Sequence, residues 1–243
     1  QELEFVAKEI KELLNSEKVE PNNICVASNL INNYSASIRS TFLAYGIPIN
    51  LTDRQSLANS SPIISIINLL EIIETDFYYK PIFRFLSSDY FQTEDYDLSN
   101  LQNVSVKHSI TIGRLNWIRT LEELIRYYKS SSNDYYESEK VSVEKALTDI
   151  KNLEKLLSSF KKEQTLNEFK QNLISVLTEL NFNKRLINTK QPSEDHIKAA
   201  TTFFNTIDEL FSLLDLDKKT AGKYTFSFIF NQIKTACNWA RYN

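Results

Sequence analysis

The chain has 243 residues, of which 42% are hydrophobic and 24% charged, a length sufficient for one large or two small domains with real cores. Only 3 Gly and 5 Pro occur, which favours a helical protein and excludes an all-β sandwich or a disordered chain. The net charge is −3 at pH 7, so any contact with nucleic acid has to be local.

The first predicted element is an amphipathic helix over residues 2–14, where apolar side chains recur at helical spacing opposite charged ones. Glu20–Asn23 breaks this helix because it contains a proline and turn-forming residues. Ile24–Ala27 is a short apolar run between turn residues, which predicts a buried parallel strand that contains Cys25.

A second helix is predicted over Tyr34–Tyr45, with Gly46 as its left-handed C-terminal cap. Ile47–Leu51 alternates apolar with other side chains and predicts a second strand. Helix, strand, helix, strand is the order of a crossover connection, so we expect a small parallel sheet. Ser61 as N-cap and Pro62 as the first helical residue then begin a helix to Glu74, which is apolar on most of its circumference and is expected to be buried.

The rest of the chain predicts helices separated by short polar segments. One short helix begins near Pro81. The others cover Arg114–Lys129, Ala146–Phe160, Leu166–Leu180, Pro192–Leu216 and about Ala221–Ala240. The spacing of apolar residues in 146–160 is typical of the seam of an antiparallel or coiled-coil helix pair. Residues 130–139 are expected to be a polar break and residues 181–192 a basic connection.

The predicted fold is therefore mainly α with a small parallel β unit, an α+β class. Residues 1–75 form an N-terminal α-β-α-β-α block, and residues 76–243 form a multi-helix subdomain. The two cysteines, Cys25 and Cys237, are too few for a disulfide framework, which favours a reducing, cytoplasmic location. The longest apolar stretch, Ile63–Ile73, is too short and too interrupted to span a bilayer. The chain also contains no Met, which predicts that it is a piece of a longer protein or a processed or recoded form.

Residues with catalytic or cofactor-binding patterns are not found. The phosphate-loop pattern GxxxxGK[ST] is missing, and no Ser lies in a G-x-S-x-G elbow. His108 and His196 have no Cys or His neighbours at metal-ligand spacing, and His196 is expected to be a solvated residue in the first turn of a helix. We therefore expect no catalytic, cofactor-binding or metal-binding residue in this chain.

Nucleic-acid contact is the one chemistry for which the sequence offers candidates. Four basic residues lie close in sequence to aromatic ones: Arg39, Arg54, Lys80 and Arg84. Cations beside aromatic rings suit phosphate contact combined with base stacking. The alternative is that these cations form ordinary surface or capping interactions and that the aromatic rings pack.

The order of elements in residues 2–74 resembles the second motor domain of UvrD-like superfamily 1 helicases. It resembles more closely the helicase-like B subunit of the bacterial ATP-dependent helicase–nuclease, the AddB type, which is related to RecB-family exonucleases. The matching parts are a Glu-led helix, an IAV-like strand, a helix with Tyr and Ile, a GIPxxL segment, an acidic–basic turn and an apolar helix that opens with Ser-Pro. In this chain they are Glu2–Leu14, Ile24–Val26, Tyr34–Tyr45, Gly46–Leu51, Asp53–Arg54 and Ser61–Glu74.

This resemblance implies that residues 1–75 are part of a second motor-like (RecA-like) helicase domain and that residues 76–243 are its helical insertion. It also implies a parent protein that uses ATP and Mg, with its phosphate loop and nuclease elsewhere. The function it implies is a non-catalytic part of a DNA helicase–nuclease subunit in double-strand-break processing, which contacts DNA and a partner subunit.

Two other functions remain open at this point. One is a helical protein–protein interaction module with no nucleic-acid role, in which the seam of residues 141–180 docks a partner helix. The other is a stand-alone enzyme of unrecognised type, against which the missing motifs argue.

Overall fold

The computed structural model describes residues 2–16, 18–28, 31–51, 55–130, 135–188, 194–216 and 222–242. Within these ranges the fold is mainly α, which confirms the predicted class. The helices are α1 (Glu2–Ser16), α2 (Ile31–Ala44), α3 (Ser61–Glu74), α4 (Tyr79–Leu86), α5 (Leu98–Lys107), α6 (Arg114–Ser130), α7 (Tyr135–Leu157), α8 (Leu166–Glu179), α9 (Phe182–Asn188), α10 (Glu194–Leu216) and α11 (Phe226–Trp239). The strands are β1 (Gln55–Ser56), β2 (Glu163–Gln164), β3 (Tyr224–Thr225) and β4 (Arg241–Tyr242), paired β1 with β4 and β2 with β3.

The chain divides into two compact units. The smaller unit comprises Gln1–Gln55 with Arg241–Asn243, and the larger unit comprises Ser56–Ala240. The division falls before α3, which therefore packs as part of the larger unit. The assignment of residues 1–75 to a motor-like domain and of residues 76–243 to an insertion stays a prediction.

The smaller unit is built on α1 and α2. Its buried core consists of Ala7, Ile10, Ile38, Phe42 and Ile47. Gly46 ends α2 in the left-handed region with φ +63°, as predicted. The backbone N–H of Ile47 donates to the Phe42 carbonyl at 2.9 Å and that of Gly46 to the Leu43 carbonyl at 3.0 Å, the paired bonds of a Schellman cap.

The two predicted parallel strands of this unit do not form, which corrects the expectation of a parallel sheet. Residues 24–28 and 47–51 have no regular secondary structure, and neither segment is part of a strand pair within the described ranges. The alternation in 47–51 is nonetheless present, because Ile47 is buried while Pro48 and Asn50 are exposed. Runs of four or five residues make few ladder hydrogen bonds, and parallel pairing is the less stable kind, so a two-stranded parallel sheet is marginal.

An open cavity of ≈ 1310 Å³, lined by apolar and polar side chains, lies among α1, α2 and residues 24–28 and 47–51 of the smaller unit. Its lining includes Leu3, Val6, Leu14, Ile24, Ile49 and Leu51. Several of these side chains are only partly buried against the core. Residues 24–28 and 47–51 therefore contribute apolar side chains that the described residues leave partly uncovered.

In the larger unit, α3 is the central helix, as its apolar circumference predicted. Its fully buried side chains are Ile63, Ile66, Leu69, Leu70 and Ile72. The helix begins one residue earlier than predicted, because Ser60 rather than Ser61 is the N-cap and Pro62 is the second helical residue. Contacts with α4, α10 and α11 cover α3.

Helices α6 and α7 form an antiparallel pair, which confirms the predicted seam. The ion pairs are Arg114–Glu154 (2.9 Å) and Glu122–Lys151 (2.8 Å). Residues later in α6 thus pair with residues earlier in α7, which shows that the two helices are antiparallel. The seam residues of α7, Ala146, Ile150 and Leu153, are at most 1% exposed. A seam already covered within the chain offers no free face to a partner helix, so the structure does not favour the interaction-module alternative in that form.

Three helix predictions in this unit need correction. Leu115, expected on the buried face of α6, is 71% exposed, and Trp117 at 0% takes that role. Helix α7 begins at Tyr135, inside the expected polar break at 130–139. Helix α9 occupies most of the expected basic connection, because Phe182 and Leu186 lie one turn apart and are both buried.

The short pairing of β2 with β3 places the N-termini of α8 and α11 next to each other. The register pairs Glu163 with Thr225 and Gln164 with Tyr224, antiparallel. The residue that follows β2, Thr165, forms a capping box with Glu168, and Thr225 caps α11 by accepting from the Phe228 N–H. None of the helices in the described ranges combines the length and apolar character needed to cross a bilayer.

The two tryptophans of the chain allow a matched test of this packing. We expect Trp117→Phe to lower the free energy of unfolding by about 1–3 kcal/mol, because it removes the indole N–H that donates to the buried Phe77 carbonyl at 2.9 Å. Trp239→Phe is the control, since Trp239 is 78% exposed, and it should change stability by less than about 0.5 kcal/mol. Urea denaturation followed by circular dichroism measures both, and equal effects would contradict the role given to Trp117.

Candidate nucleic-acid interface

The four predicted nucleic-acid contacts have different locations. Arg39 is partly buried on α2 of the smaller unit and takes part in an interaction there. Arg54 lies outside the described residues. Lys80 and Arg84 lie one turn apart on α4 of the larger unit, and both are exposed. The structure therefore brings Lys80 and Arg84 together on one short helix.

A tight turn between α3 and α4 positions this helix. Asp76 and Phe77 have φ values of 47° and 59°, a left-handed conformation that non-glycine residues rarely adopt. The Phe77 N–H donates to the Ile72 carbonyl at 2.8 Å, which caps α3. Phe77 itself is buried, so its side chain fills the core while the backbone reverses direction.

Hydrogen bonds to residues 111–117 hold this turn in place. They join Gly113 N to Asp76 O (2.8 Å), Arg114 N to Asp76 Oδ1 (3.2 Å), Trp117 Nε1 to Phe77 O (2.9 Å) and Tyr79 N to Thr111 O (2.9 Å). A strained turn persists only where its surroundings compensate the strain, and these bonds do so. The residues that begin α4 are consequently held in a fixed orientation.

We call Tyr78, Tyr79, Lys80 and Phe83 the lysine–tyrosine surface. The rings of Tyr78 and Tyr79 are 4.8 Å apart between centroids and inclined by 68°, and those of Tyr79 and Phe83 are 5.5 Å apart and inclined by 62°. The Lys80 ammonium lies 5.9 Å from the Tyr78 ring and 6.0 Å from the Tyr79 ring. A cation at this distance is attracted by the ring faces, which keeps the lysine over the aromatic group.

Arg84 is paired with a carboxylate. Its Nη2 donates to Glu71 Oε2 at 2.9 Å, and its Nε donates to the Lys80 carbonyl at 3.4 Å. The Arg84 side chain is 53% exposed and that of Glu71 24%. Exposed ion pairs contribute only about 0–1 kcal/mol, so an anion can compete for the guanidinium. A nucleic-acid contact by Arg84 stays a prediction.

The buried carboxylate of the larger unit has a structural role. Asp149 is 1% exposed and accepts hydrogen bonds from Lys145 and from the backbone N–H of Asp97 (3.0 Å). Burial and the nearby Asp149 raise the pKa of the Tyr96 hydroxyl to about 12. These bonds join the segment before α5 to α7. Across the described ranges, no three His, Cys, Asp or Glu side chains come together to hold a metal ion.

The two histidines are more enclosed than the sequence indicated. His196 is not a purely solvated residue, because it is partly buried and its ring nitrogen Nδ1 lies 3.2 Å from the Tyr90 hydroxyl. His108 is the residue after α5. Burial lowers the pKa of its imidazole most, and the positive charge of Lys107 lowers it further. No described residue hydrogen-bonds to the buried Nε2 of His108. The His196 ring also packs edge to face against the Tyr90 ring, with centroids 5.6 Å apart, and so joins α10 to the segment before α5.

The cysteines also differ from the prediction in one respect. Cys25, expected inside a buried strand, is exposed because residues 25–28 have no buried face. Cys237 on α11 is 2% exposed, as its apolar surroundings indicated, and burial raises the pKa of its thiol to about 12. A thiol with such a pKa carries very little thiolate at neutral pH.

Alkylation should therefore separate the two thiols. At pH 8 we expect iodoacetamide to modify Cys25 on the order of 100-fold faster than Cys237, since only the thiolate is nucleophilic and Cys237 is inaccessible. Mass spectrometry of quenched samples measures the two rates. In a Cys25→Ser variant the remaining thiol should react only after denaturant is added, and rapid reaction of the folded variant would contradict the burial of Cys237.

Comparison with known proteins gives one consistent name. No family model matches the chain. It is 30% identical over 115 residues to the B subunit of the ATP-dependent helicase/deoxyribonuclease of Desulforamulus reducens, an alignment that covers 47% of this chain and 10% of that protein. The protein of the same name from Clostridioides difficile is 33% identical over 110 residues, covering 45% and 9%.

A third relative extends the similarity along nearly the whole chain. The protein of the same name from Bacillus licheniformis is 22% identical over 248 aligned positions, which cover 96% of this chain and 21% of that protein. The chain thus spans a small part of the length of the curated relatives it matches. The resemblance inferred from residues 2–74 is confirmed: this chain is similar to part of proteins named as the B subunit of an ATP-dependent helicase/deoxyribonuclease.

Proposed function

We propose that the chain is a non-catalytic part of a helicase–nuclease subunit that processes DNA double-strand breaks. The observation that carries this proposal is the similarity over 96% of the chain to a protein named as a helicase/deoxyribonuclease subunit. An activity that joins unwinding to DNA degradation acts at a DNA end, and a double-strand break supplies such ends. The naming of the relatives as B subunits supports a second, different subunit as a partner.

The lysine–tyrosine surface is the DNA contact that we propose in the larger unit. Lys80 is exposed and makes no ion pair with any described residue, so its ammonium is available to a phosphate. Phosphate contacts position a nucleic acid without reading its sequence. With a net charge of −3, the chain repels DNA at long range, and binding through one lysine is expected to be weak and sensitive to salt.

The open cavity of the smaller unit supports the assignment of this region to a motor-like domain. Residues 24–28 and 47–51 make no strand pair within the described ranges, and their apolar side chains, such as Ile24, Ile49 and Leu51, line the cavity. Further strands from a longer protein would pair with these segments and complete a parallel sheet.

We propose ATP and Mg as cofactors of the longer protein and not of this chain. The chain has no phosphate loop, and the described residues hold no group of three metal-ligating side chains. We therefore propose that residues elsewhere in the longer protein bind these cofactors.

Lys80→Ala is the direct test of the proposed contact. We expect this change to weaken binding of a fluorescein-labelled forked DNA roughly five- to tenfold at low salt, because one charge-assisted phosphate contact is lost. The slope of log affinity against log salt should fall by about 1. Fluorescence anisotropy at two or more salt concentrations measures both quantities.

The matched control is Lys155→Ala, which removes the same charge from an exposed position on α7. This variant should bind as the unmodified chain does, apart from a small uniform decrease. Equal weakening by both variants would show that net charge alone governs binding. Absence of binding at low salt would overturn the proposed DNA contact.

Glu71→Gln tests the competition at Arg84. Neutralising Glu71 releases the guanidinium, so we expect roughly two- to fivefold tighter binding of the same DNA, the size of an exposed ion pair. Adding Arg84→Ala to Glu71→Gln should remove this gain. If Glu71→Gln leaves the anisotropy curve unchanged, Arg84 makes no contact with DNA.

A further inference from the structure

We infer that His108 makes the connection between α5 and α6 sensitive to mild acid: protonation of its imidazole opens this connection and, with it, the turn before α4. The inference concerns the folded structure of the larger unit, so it stands or falls apart from the proposed DNA contact. Three features carry it: the way in which α5 ends, the contacts of the residues that follow, and the surroundings of the imidazole.

The first feature is the end of α5. The Ile110 N–H donates to the Ser105 carbonyl at 2.9 Å and the Ser109 N–H to the Val106 carbonyl at 3.3 Å, the paired bonds of a Schellman cap with His108 as the C-cap residue. Ser109 has a φ of 53°, a left-handed conformation that costs free energy in a residue other than glycine. The Ser105 hydroxyl also donates to the Ile110 carbonyl at 2.7 Å. Hydrogen bonds between residues on both sides of His108 therefore hold the connection closed.

The second feature is that this connection holds the turn before α4. The Thr111 carbonyl accepts from the Tyr79 N–H at 2.9 Å, and the Gly113 N–H donates to the Asp76 carbonyl at 2.8 Å. Both bonds come from residues that follow the cap directly. When the cap opens, these residues lose their fixed position, and the strained turn at Asp76 loses contacts that compensate its strain. A change at His108 therefore reaches the start of α4.

The third feature is the enclosure of one ring nitrogen. His108 as a whole is partly buried, but its Nε2 is buried and has no hydrogen-bond partner among the described residues. A neutral imidazole can leave this nitrogen without a proton, whereas the charged imidazole must carry an N–H there. Protonation of the folded chain therefore places an unpaired donor and a positive charge in an enclosed position, which costs free energy.

The charged groups near the ring do not remove this cost. Lys107, its neighbour in α5, disfavours a second positive charge, and Glu139 of α7, which is paired with Lys107, favours one less strongly. On α4, which also contacts α5, Lys80 lies over the tyrosine rings and Arg84 is paired with Glu71. The carbonyl end of α5 favours a cation, but burial is the largest influence, and the pKa of the imidazole lies below its ordinary value.

Mild acid should therefore favour the open form. In the open form the imidazole regains its ordinary pKa of about 6.5, so this form takes up a proton at a higher pH than the closed form does. The contribution of His108 to stability is complete above that pH and is lost as the pH falls through the lower pKa of the closed form. Histidine is the side chain whose ordinary pKa lies in this range, and the chain has two.

A nuclear magnetic resonance titration of His196→Gln is the direct test, because the one imidazole signal left in this variant is that of His108. We expect this signal to titrate below about pH 6.5, the ordinary pKa of histidine, while the chain is folded. Titration at or above that pH would overturn the inference, since protonation would then not favour the open form.

Hydrogen exchange measures the opening itself, as protection factors corrected for the intrinsic effect of pH. Between about pH 7.5 and about pH 5.5 we expect protection of the Tyr79 and Gly113 amides to fall at least about threefold. The control is the Phe226 amide, which donates to the Lys162 carbonyl beside β2 and β3 and should change by less than about twofold. His108→Gln, which cannot titrate, should keep the protection of all three amides at both pH values.

Two results of the exchange experiment would contradict the inference. An equal fall at all three amides would show that acid destabilises the unit as a whole, and a fall that persists in His108→Gln would show that another group is responsible. The titration and the comparison of amides in the unmodified chain need no change at His108, so both remain decisive whether or not His108→Gln folds.

Discussion

The larger unit depends on how its buried central helix ends. Helix α3 is apolar on nearly all sides, and the chain must leave it through a turn in which Asp76 and Phe77 are left-handed. This conformation costs about 1–2 kcal/mol per residue, so it requires compensation. The hydrogen bonds from residues 111–117 provide it, and Trp117 supplies one of them from a fully buried ring. The core and the exposed start of α4 are therefore coupled through one turn.

That coupling explains why the proposed DNA contact lies where it does. Residues on a helix that begins at a constrained turn keep a defined orientation, which a flexible loop cannot offer. Lys80 and the tyrosine rings follow this turn directly, while Glu71 on α3 reaches Arg84 on α4 across it. The same packing that buries α3 thus decides which cation is available and which is already paired.

The smaller unit shows the opposite situation, because its local structure forms while the predicted strand pairing does not form within the described residues. Its two helices and the Gly46 cap adopt the predicted conformations because those depend on neighbouring residues. Residues 47–51 keep their alternation of more buried and exposed side chains and residues 25–28 do not, and neither segment makes a sheet within the described residues. A ladder requires strands that lie far apart in sequence, and short parallel strands contribute too few hydrogen bonds to hold a pair alone.

The sequence by itself determined the mainly helical class, most helix positions, the burial of α3 and the resemblance to a helicase–nuclease subunit. The class, the helix positions and the burial of α3 follow from periodicity, from scarce glycine and proline, and from capping residues, all of which act over a few positions. The resemblance rests instead on the order of motifs in residues 2–74. It also pointed to Lys80 and Arg84 through their aromatic neighbours. Only the tertiary structure decided that Arg84 is engaged by Glu71, that Trp117 rather than Leu115 is buried, and that Cys25 is exposed. Those outcomes depend on which distant segments meet, and no local pattern of residues specifies that.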